Sequence, residues 1–267
     1  MDFDNFKRLP VRTGKRILRF EFMLVPLALI LFLLLWDLLV TWQQYPTFIL
    51  PSPVRVWERF LLLVNDGTLW SHTLATLAEV LAGLFIGLVA ALLFGYGLAK
   101  SPLLERILSP YIVASQAVPV VAIAPLLVIW FGFGGLSKAL VCALTVFFPA
   151  LVTTIVGIRS VDPDLRSLMR SLQSSRWQTF SLLEVPAALP FLFAGLKVAV
   201  TLAVIGAVVG EFVGADRGLG FLVNLARGIL DTPMLFVALF FLVVIALGLY
   251  TVVSLLEYVV LRWRRVD

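Results

Sequence analysis

Residues 159–190, RSVDPDLRSLMRSLQSSRWQTFSLLEVPAALP, form a polar, helix-forming segment in a chain that is otherwise mostly apolar. Asp162 can cap a helix whose first position is Pro163 and whose first turn contains the acidic Asp164. Apolar residues then recur at helical spacing, which predicts one apolar stripe along this helix: Leu165, Leu168, Met169 and Leu172.

A second short helix is predicted directly after the first. Ser174 and Ser175 can cap it, Trp177 and Phe180 give it an apolar side, and Pro186 is expected to mark its end. Two short amphipathic helices joined by a turn, between two apolar stretches, favour a surface that docks onto another protein. A loop that only faced a lipid bilayer would not need this much order.

The quoted segment resembles the EAA loop of the permease subunits of binding-protein-dependent ABC importers. Residues 187–190, AALP, match the end of that loop, and residues 175–180, SRWQTF, match its middle. The front departs from the pattern, because residues 167–169 read SLM where the family has Glu-Ala-Ala, and Gln173 stands at the glycine position. Glycine would permit a left-handed backbone there, which glutamine adopts less readily. Either the turn is built differently, or the two helices run together.

Further stretches resemble the nitrate, sulfonate and taurine branch of these permeases: LPSP at residues 50–53, QAVPVVAIAPLLVIWFGFG at 116–134 and GAVVGEFVGADRGLG at 206–220. With the quoted segment they cover most of residues 50–220. The resemblance implies an all-α membrane protein with six transmembrane helices, similar to the permeases of type I ABC importers. Cytoplasmic coupling helices are then expected between spans four and five.

The same resemblance implies partners and a transported solute. Cytoplasmic ABC ATPase subunits would bind ATP and Mg²⁺, and an extracytoplasmic binding protein would deliver the solute to a permease homodimer. The branch moves small anions such as nitrate, sulfonates and taurine, and relatives move vitamin precursors such as pyrimidines or riboflavin. Coupling to the ATPase is expected at Asp162, Asp164, Leu165, Leu168, Met169, Leu172, Gln173, Trp177 and Phe180.

Composition independently indicates a helical membrane protein with several spans. Of the 267 residues, 61% are hydrophobic and 14% are charged, and the mean hydropathy is +1.04. A soluble chain could not cover that much apolar side chain, and in lipid the backbone has to satisfy its hydrogen bonds within helices. Cys142 and His72 are the single cysteine and histidine, which excludes an intramolecular disulfide and metal sites built from several cysteines or histidines.

Hydropathy and the positions of helix-breaking residues predict six spans in one permease domain over residues 22–261. Basic segments at 1–21 and 262–267 flank this domain. An amphipathic helix that opens at Ser52 and Pro53 is expected before the second span. Residues 100–110 are expected to form a short loop. The spans are predicted at residues 22–42, 74–99, 112–131, 140–158, 190–213 and 234–261.

The net charge of +5 is unevenly distributed along the chain. Most lysines and arginines lie in the N-terminal segment, in residues 159–190 and in the C-terminal tail. The positive-inside rule therefore places both termini and residues 159–190, here called the docking segment, in the cytoplasm. The resemblance implies a protein of the bacterial plasma membrane. This distribution suits contact with membrane lipids and does not resemble a nucleic-acid-binding face.

Polar and helix-breaking residues within the spans are candidates for a translocation pathway or gate. Pro119 and Pro125 each remove a backbone hydrogen bond from the third span, which predicts a kinked, flexible helix beside a water-lined cavity, with a static kink as the alternative. A carboxylate at Glu211 is costly unless it is hydrated or paired, so it can border a gate or reach the outer interface. The candidates are Ser115, Gln116, Pro119, Pro125, Thr145 and Glu211.

The fifth span carries small residues four positions apart, at Gly206, Gly210 and Gly214. Such spacing lets neighbouring backbones approach closely. Helix packing within one chain is the expectation, and packing across a dimer interface is the alternative.

No catalytic motif is present. The chain has no G-x-x-x-x-G-K-[ST], no H-E-x-x-H and no G-x-S-x-G, which predicts a transport subunit that has no cofactor or metal and does not hydrolyse ATP by itself. The alternative is an ion-coupled secondary transporter or a channel, which would need a relay of ionisable groups inside the membrane. Asp37, Glu79 and Glu211 lie on three different predicted spans and do not make such a relay evident.

Overall fold

The computed structural model describes residues 14–262, so most of the predicted basic N-terminal segment and nearly all of the predicted tail lie outside the described residues. Within residues 14–262 the chain is helical and has no strand. A π-helical turn (Phe180–Glu184) joins the eighth helix to the ninth. The helices are α1 (Gly14–Gln43), α2 (Pro53–Asn65), α3 (Thr68–Lys100), α4 (Pro102–Gln116), α5 (Val120–Phe131), α6 (Gly135–Arg159), α7 (Pro163–Ser171), α8 (Arg176–Thr179), α9 (Val185–Gly214), α10 (Leu219–Gly228) and α11 (Thr232–Val260).

Five segments are long and apolar enough to cross a membrane, and they correspond to α1, α3, α6, the continuous α8–α9 helix and α11. A sixth crossing is obtained when the bent pair α4 and α5 is counted as one broken span. The prediction of an all-helical protein with six spans holds in this form. Large apolar side chains face outward along these helices, as expected for contact with lipid.

The third predicted span is not one kinked helix. α4 ends at Gln116, α5 begins at Val120, and the two helices are bent by 93°. Pro119 lies at the break because it has no N–H to donate and disfavours helical backbone at Val118. Pro125 lies inside α5 without interrupting it. The prediction of a kink understates the break at Pro119, and a kink at Pro125 stays a prediction.

Residues 100–110 do not form the expected loop. Ser101 caps α4 by accepting a hydrogen bond from the Leu104 N–H at 3.4 Å, and Pro102 takes the first helical position. Proline is favoured there because the first N–H groups of a helix have no partner within the helix. The helix continues through Pro110, so the connection between the second and third spans is helical.

The amphipathic helix predicted after the first span is α2. Ser52 caps it by accepting a hydrogen bond from the Arg55 N–H at 3.4 Å. Its Arg59 forms an ion pair with Asp231 at 2.6 Å. Asp231 also caps α11 by accepting a hydrogen bond from the Met234 N–H at 3.1 Å. One carboxylate therefore fastens α2 to the start of α11.

Asp66 and Gly67 turn the chain from α2 into α3. The Asp66 carboxylate accepts a hydrogen bond from the Thr68 N–H at 2.8 Å. That bond favours the charged form and holds the pKa of Asp66 below its ordinary value. Gly67 has a φ of 76°, a left-handed conformation that glycine adopts without steric cost.

α6 lies between α3 and α9, and small residues bring the three helices together. On the α3 side, a Cβ added to Gly83 would lie 2.2 Å from the Cys142 Cβ. On the α9 side, a Cβ added to Gly195 would lie 2.3 Å from the Thr153 Oγ1. No larger side chain fits at these positions without displacement, so α3, α6 and α9 form one closely packed slab.

Replacing Gly83 by alanine is expected to lower the free energy of unfolding by about 1–3 kcal/mol, because the added methyl group overlaps Cys142. Gly97→Ala is the matched control in the same helix, since nothing lies within 4 Å of a Cβ at that position and alanine favours the helix. Thermal unfolding in detergent measures both variants. A midpoint for Gly83→Ala equal to that of Gly97→Ala would contradict the close packing.

Candidate functional site

The first helix of residues 159–190, the predicted docking segment, is α7, and it begins as the sequence predicts. Asp162 caps it, and its carboxylate accepts a hydrogen bond from the Asp164 N–H at 2.8 Å. Pro163 takes the first helical position, and Asp164 places negative charge near the positive end of the helix dipole. Arg166 donates a hydrogen bond to the Ile158 carbonyl at 2.7 Å. This last bond fastens α7 to the end of α6.

α7 ends in a left-handed turn at Gln173, whose φ is 53°. The Gln173 N–H donates to the Arg170 carbonyl at 3.0 Å, and the Ser174 N–H donates to the Met169 carbonyl at 3.1 Å. This pair of hydrogen bonds is the Schellman pattern that usually accompanies glycine at the left-handed position. The turn therefore keeps the conformation that glycine would permit, and both expected alternatives, a different turn and a continuous helix, are wrong.

The second docking helix, α8, starts with a capping box. The Ser175 hydroxyl accepts a hydrogen bond from the Gln178 N–H at 3.2 Å, and the Gln178 side-chain oxygen accepts one from the Ser175 N–H at 2.7 Å. Ser174, the other predicted cap, instead donates its hydroxyl to the Met169 carbonyl at 2.7 Å. Two reciprocal bonds thus fix where the chain leaves the turn and re-enters a helix.

The sequence predicts that the second short helix ends at Pro186, but the structure shows no end there. The π-helical turn carries it directly into α9, so the chain is helical over Arg176–Gly214. In this turn the Val185 N–H donates to the carbonyl of Phe180, five residues earlier. Pro186 then takes an early position of α9, where a missing N–H is tolerated. The second helix of the predicted docking segment is therefore a continuous extension of the fifth span.

The docking segment presents an exposed apolar surface. Met169 and Phe180 lie half-buried behind it, and the Phe180 ring packs against Trp177 with 5.5 Å between ring centroids. The predicted coupling residues are thereby brought onto two adjoining helices and the turn between them. The exposed apolar side chains, here called the coupling surface, are Leu165, Leu168, Leu172 and Trp177.

A buried glutamate fastens the docking segment to α3, and sequence reasoning missed it. Glu184 is 2% exposed, and its carboxylate forms an ion pair with Lys100 and accepts a hydrogen bond from the Tyr96 hydroxyl at 3.3 Å. The Tyr96 ring also packs edge-on against Phe180 at 5.3 Å. A glutamate at the entry to a membrane span is the signal that could have been noticed, although its partners lie on a distant part of the chain.

A cavity of 410 Å³ lies beside the break between α4 and α5. It brings together three predicted pathway residues, Ser115, Gln116 and Thr145. The two hydroxyls donate to carbonyls of their own helices, at 2.7 and 2.8 Å, and can still accept hydrogen bonds. None of the described residues that line the cavity is charged. Pro119 forms the adjoining break, whereas Pro125 is not among the lining residues.

Glu211 lies outside this cavity and caps α10. It is 1% exposed, and its carboxylate accepts hydrogen bonds from the Thr76 hydroxyl at 2.6 Å and from the N–H groups of Gly220 and Phe221 at 2.5 and 3.3 Å. These N–H groups have no partner within α10 and stand at the positive end of its dipole, which allows a carboxylate to be buried here. Its role as a gate residue stays a prediction.

The turn before α10 requires glycine. Gly218 has a φ of 120°, and an added Cβ there would lie 2.2 Å from the Glu211 carboxyl carbon. At Gly220 an added Cβ would lie 2.7 Å from the Glu211 Oε2. The His72 Nδ1 accepts a hydrogen bond from the Gly218 N–H at 2.9 Å. Sequence reasoning missed His72 and Thr76, and the paired glycines that follow Glu211 were the available signal.

The three glycines of the fifth span, Gly206, Gly210 and Gly214, face other parts of the same chain. An added Cβ at these positions would lie 2.8, 3.1 and 2.7 Å from the nearest atoms of α6 or of the turn before it. They therefore serve close packing between α9 and α6. The alternative, a glycine face left free for a second copy of the chain, does not fit these distances.

The coupling surface, the polar cavity and α10 occupy three different parts of the described structure. Among residues 14–262, no group of three or more histidine, cysteine, aspartate or glutamate side chains could hold a metal ion. The coupling surface lies at one end of the slab, the capped helix α10 lies at the other, and the polar cavity lies beside the broken span. Such an arrangement can bind partners at two ends and change the access to a cavity between them.

Comparison with known proteins identifies the family. Residues 83–266 match the family described as binding-protein-dependent transport system inner membrane component. The chain is 47% identical over 239 residues to the riboflavin transport system permease protein RibX of Chloroflexus aurantiacus, covering 90% of this chain and 89% of that protein. It is 34% identical over 239 residues to the formylaminopyrimidine transport permease protein ThiX of Halalkalibacterium halodurans, covering 90% and 95%.

Two more distant comparisons agree. The chain is 32% identical over 224 residues to the taurine transport system permease protein TauC of Escherichia coli, covering 82% of each chain. Its fold matches the crystal structure of an amino acid ABC transporter with histidines, with a TM-score of 0.56 and 20% sequence identity, over 74% of this chain and 97% of that one. The structural match supports the fold alone.

The chain therefore belongs to the family of binding-protein-dependent transport system inner membrane components. It is a multi-pass protein of the inner membrane and the transmembrane permease subunit of an ABC importer. The resemblance to importer permeases is thus confirmed. The alternative of an ion-coupled secondary transporter or a channel is not favoured.

Replacing Gln173 by glycine is expected to raise the free energy of unfolding, by up to about 1 kcal/mol, because a left-handed backbone is unfavourable for a residue with a Cβ. Ser171→Gly is the control two positions earlier, where the backbone is helical and glycine should cost about 1 kcal/mol. Thermal unfolding of both variants tests the turn. If glycine destabilised the protein equally at both positions, the left-handed turn would be refuted.

Proposed function

We propose that two copies of this permease form one translocation pathway, with a cytoplasmic ABC ATPase subunit on each coupling surface. An extracytoplasmic binding protein delivers the solute to the opposite face. The observation that carries the proposal is the exposed apolar surface on α7 and α8, since such a patch on a polar segment marks a protein interface. ATP and Mg²⁺ are then bound by the ATPase, because this chain lacks a phosphate-binding loop.

The proposed orientation places both termini and the coupling surface in the cytoplasm. It is supported by the lysines and arginines of residues 1–19, 159–176 and 262–265, which the positive-inside rule assigns to that side. Lys100 adds to the positive charge on that side, because it pairs with Glu184 of the docking segment. Anionic lipids suit the basic segments at both ends of the chain.

The proposed mechanism moves the docking segment as a lever. When the two ATPase subunits close on ATP, they carry the coupling surfaces with them. Arg166 passes this motion to α6 through the Ile158 carbonyl, and Glu184 passes it to α3 through Lys100. Because α3, α6 and α9 are closely packed, they move together and change the access to the cavity beside α4 and α5. Ser115, Gln116 and Thr145 would contact the solute there.

Replacing Trp177 by aspartate is expected to release the ATPase while the permease still inserts. Trp177 is 71% exposed, so the change does not disturb the interior, and a charge at the centre of an apolar contact typically costs 2 kcal/mol or more, about thirtyfold in affinity. Pull-down of the tagged permease from native membranes, with quantification of the co-purified ATPase, measures the effect.

Trp57→Asp is the matched control for this experiment. Trp57 is 60% exposed and packs on Phe60 at 5.1 Å, much as Trp177 packs on Phe180, but it lies on α2, away from the docking segment. The control is expected to retain the ATPase. Full recovery of the ATPase with Trp177→Asp, or equal loss with Trp57→Asp, would sink the assignment of the coupling surface.

We infer that the solute is an uncharged heteroaromatic compound of the riboflavin type. The 47% identity to a riboflavin permease supports this class. So does the lining of the 410 Å³ cavity, which offers the Gln116 amide, two hydroxyls and the Phe148 ring, but no charged side chain. Sulfonates and taurine carry a localised negative charge, which an uncharged, mostly apolar cavity solvates poorly.

Uptake into proteoliposomes that contain the permease with its co-purified ATPase and binding protein tests the solute class. Labelled riboflavin is expected to accumulate with ATP, and excess taurine should not compete. Gln116→Ala is expected to raise the riboflavin concentration at half-maximal uptake about tenfold, because one hydrogen-bond partner is lost. ATP-driven taurine uptake without riboflavin uptake would overturn the solute class and leave the importer assignment intact.

A further inference from the structure

Two almost fully buried glutamates stand at opposite ends of α9. Glu184 immediately precedes α9 and is 2% exposed; Glu211 lies in its last turn and is 1% exposed. Both carboxylates contact α3. A buried carboxylate is costly unless it is paired and hydrogen-bonded, so each of these contacts is a strongly specified point of attachment between the same two helices.

The contact at Glu184 joins the docking segment to α3. The carboxylate pairs with Lys100 and accepts a hydrogen bond from the Tyr96 hydroxyl, and the Lys100 ammonium also lies 5.3 Å from the centroid of the Tyr96 ring. The Tyr96 ring also packs on Phe180 at 5.3 Å, so α3 is in direct contact with the π-helical turn. Movement of the docking segment therefore reaches α3 directly.

The contact at Glu211 joins α3 and α9 to α10 at the other end. Thr76 donates its hydroxyl to Glu211 at 2.6 Å and accepts a hydrogen bond from the Leu219 N–H at 2.7 Å. Glu211 in turn accepts the Gly220 N–H at 2.5 Å. The first N–H groups of α10 are thus held by side chains of α3 and α9, so α10 follows these two helices.

The two contacts are separated by about the thickness of a membrane. From Thr76 to Lys100, α3 rises about 36 Å at 1.5 Å per residue, compared with about 30 Å for the hydrocarbon core. Between the contacts, α3 and α9 both pack on α6 through glycines such as Gly83 and Gly206. The two helices are therefore attached at both ends and supported along their length.

We propose that Glu184 and Glu211 are positioning residues that make α3 and α9 one strut between the ATPase-docking segment and α10. This rests on the proposed docking of the ATPase at the coupling surface. When the loaded binding protein contacts the outer face, the strut transmits the resulting movement to the ATPase. When the ATPase closes on ATP, the strut transmits that movement to α10. Without either contact, both partners still bind, but less of the motion at one end reaches the other.

The test uses the complete complex of permease, co-purified ATPase and binding protein in proteoliposomes. Glu211→Gln keeps the shape of the side chain but leaves only one oxygen, which cannot accept both from Thr76 and from the N–H groups of α10. Thr76→Val removes the bridging hydroxyl with little change in volume. Both variants are expected to retain the ATPase and its basal hydrolysis. Stimulation of hydrolysis by the loaded binding protein should fall about fivefold or more.

At the docking end, charge exchange separates a specific contact from a general loss of structure. Glu184→Lys alone and Lys100→Glu alone are expected to lose stimulation, and the double variant Lys100→Glu/Glu184→Lys to regain part of it. The ion pair between Lys197 and Glu257, at 2.5 Å, is the matched control, because it joins α9 to α11 instead of α3. Lys197→Gln should therefore keep full stimulation.

Full stimulation in both Glu211→Gln and Thr76→Val would overturn the strut. An equal loss of stimulation in Lys197→Gln would also overturn it, because the effect would then not be specific to the contacts with α3. If Glu184→Lys released the ATPase, Glu184 would be a docking residue and the strut would fail at that end. Failure of the coupling surface itself is seen separately, as ATPase that remains bound to the Trp177→Asp permease.

Discussion

The close approach of α3 and α9 to α6 is the contact on which the rest of the structure depends. In lipid there is no hydrophobic driving force for helices to associate, because apolar side chains are already in an apolar environment. Helices in a membrane therefore associate through tight packing and hydrogen bonds. Glycines at positions such as Gly83 and Gly195 let the backbones meet. Once these helices are held together, the buried carboxylates Glu184 and Glu211 find their partners at fixed positions. The two ends of the slab are then parts of one body.

Features that depend on neighbours in the chain could be predicted from the sequence. The caps at Asp162 and Ser175 form with N–H groups two and three residues ahead, and the five unbroken spans follow from hydropathy. The same holds for the glycine spacing of the fifth span. Partners far apart in the chain could not be predicted. Nothing in the local sequence around Glu184 or Glu211 indicates that both reach α3, because that depends on how the helices pack.

The prolines show where local reasoning ends. Pro110, Pro125 and Pro149 lie inside continuous helices, whereas Pro119 coincides with a 93° bend. Each removes the same N–H donor, but whether the chain bends depends on what surrounds the freed carbonyl. The geometry of the candidate site could not be predicted from the local sequence either. Ser115, Gln116 and Thr145 were identified as polar residues in spans, but only the bend explains why they line one cavity.

The π-helical turn between α8 and α9 determines which side of α8 faces outward relative to α9. A helix turns by about 100° per residue, and this turn holds one residue more than an α-helical turn would. Loss of a single residue between Phe180 and Glu184 would leave the chain helical and the membrane span intact. It would nevertheless rotate Trp177 by more than a quarter turn about the helix axis. A deletion too small to disturb the fold would thus be large enough to turn the exposed face of α8 to a different side of the span.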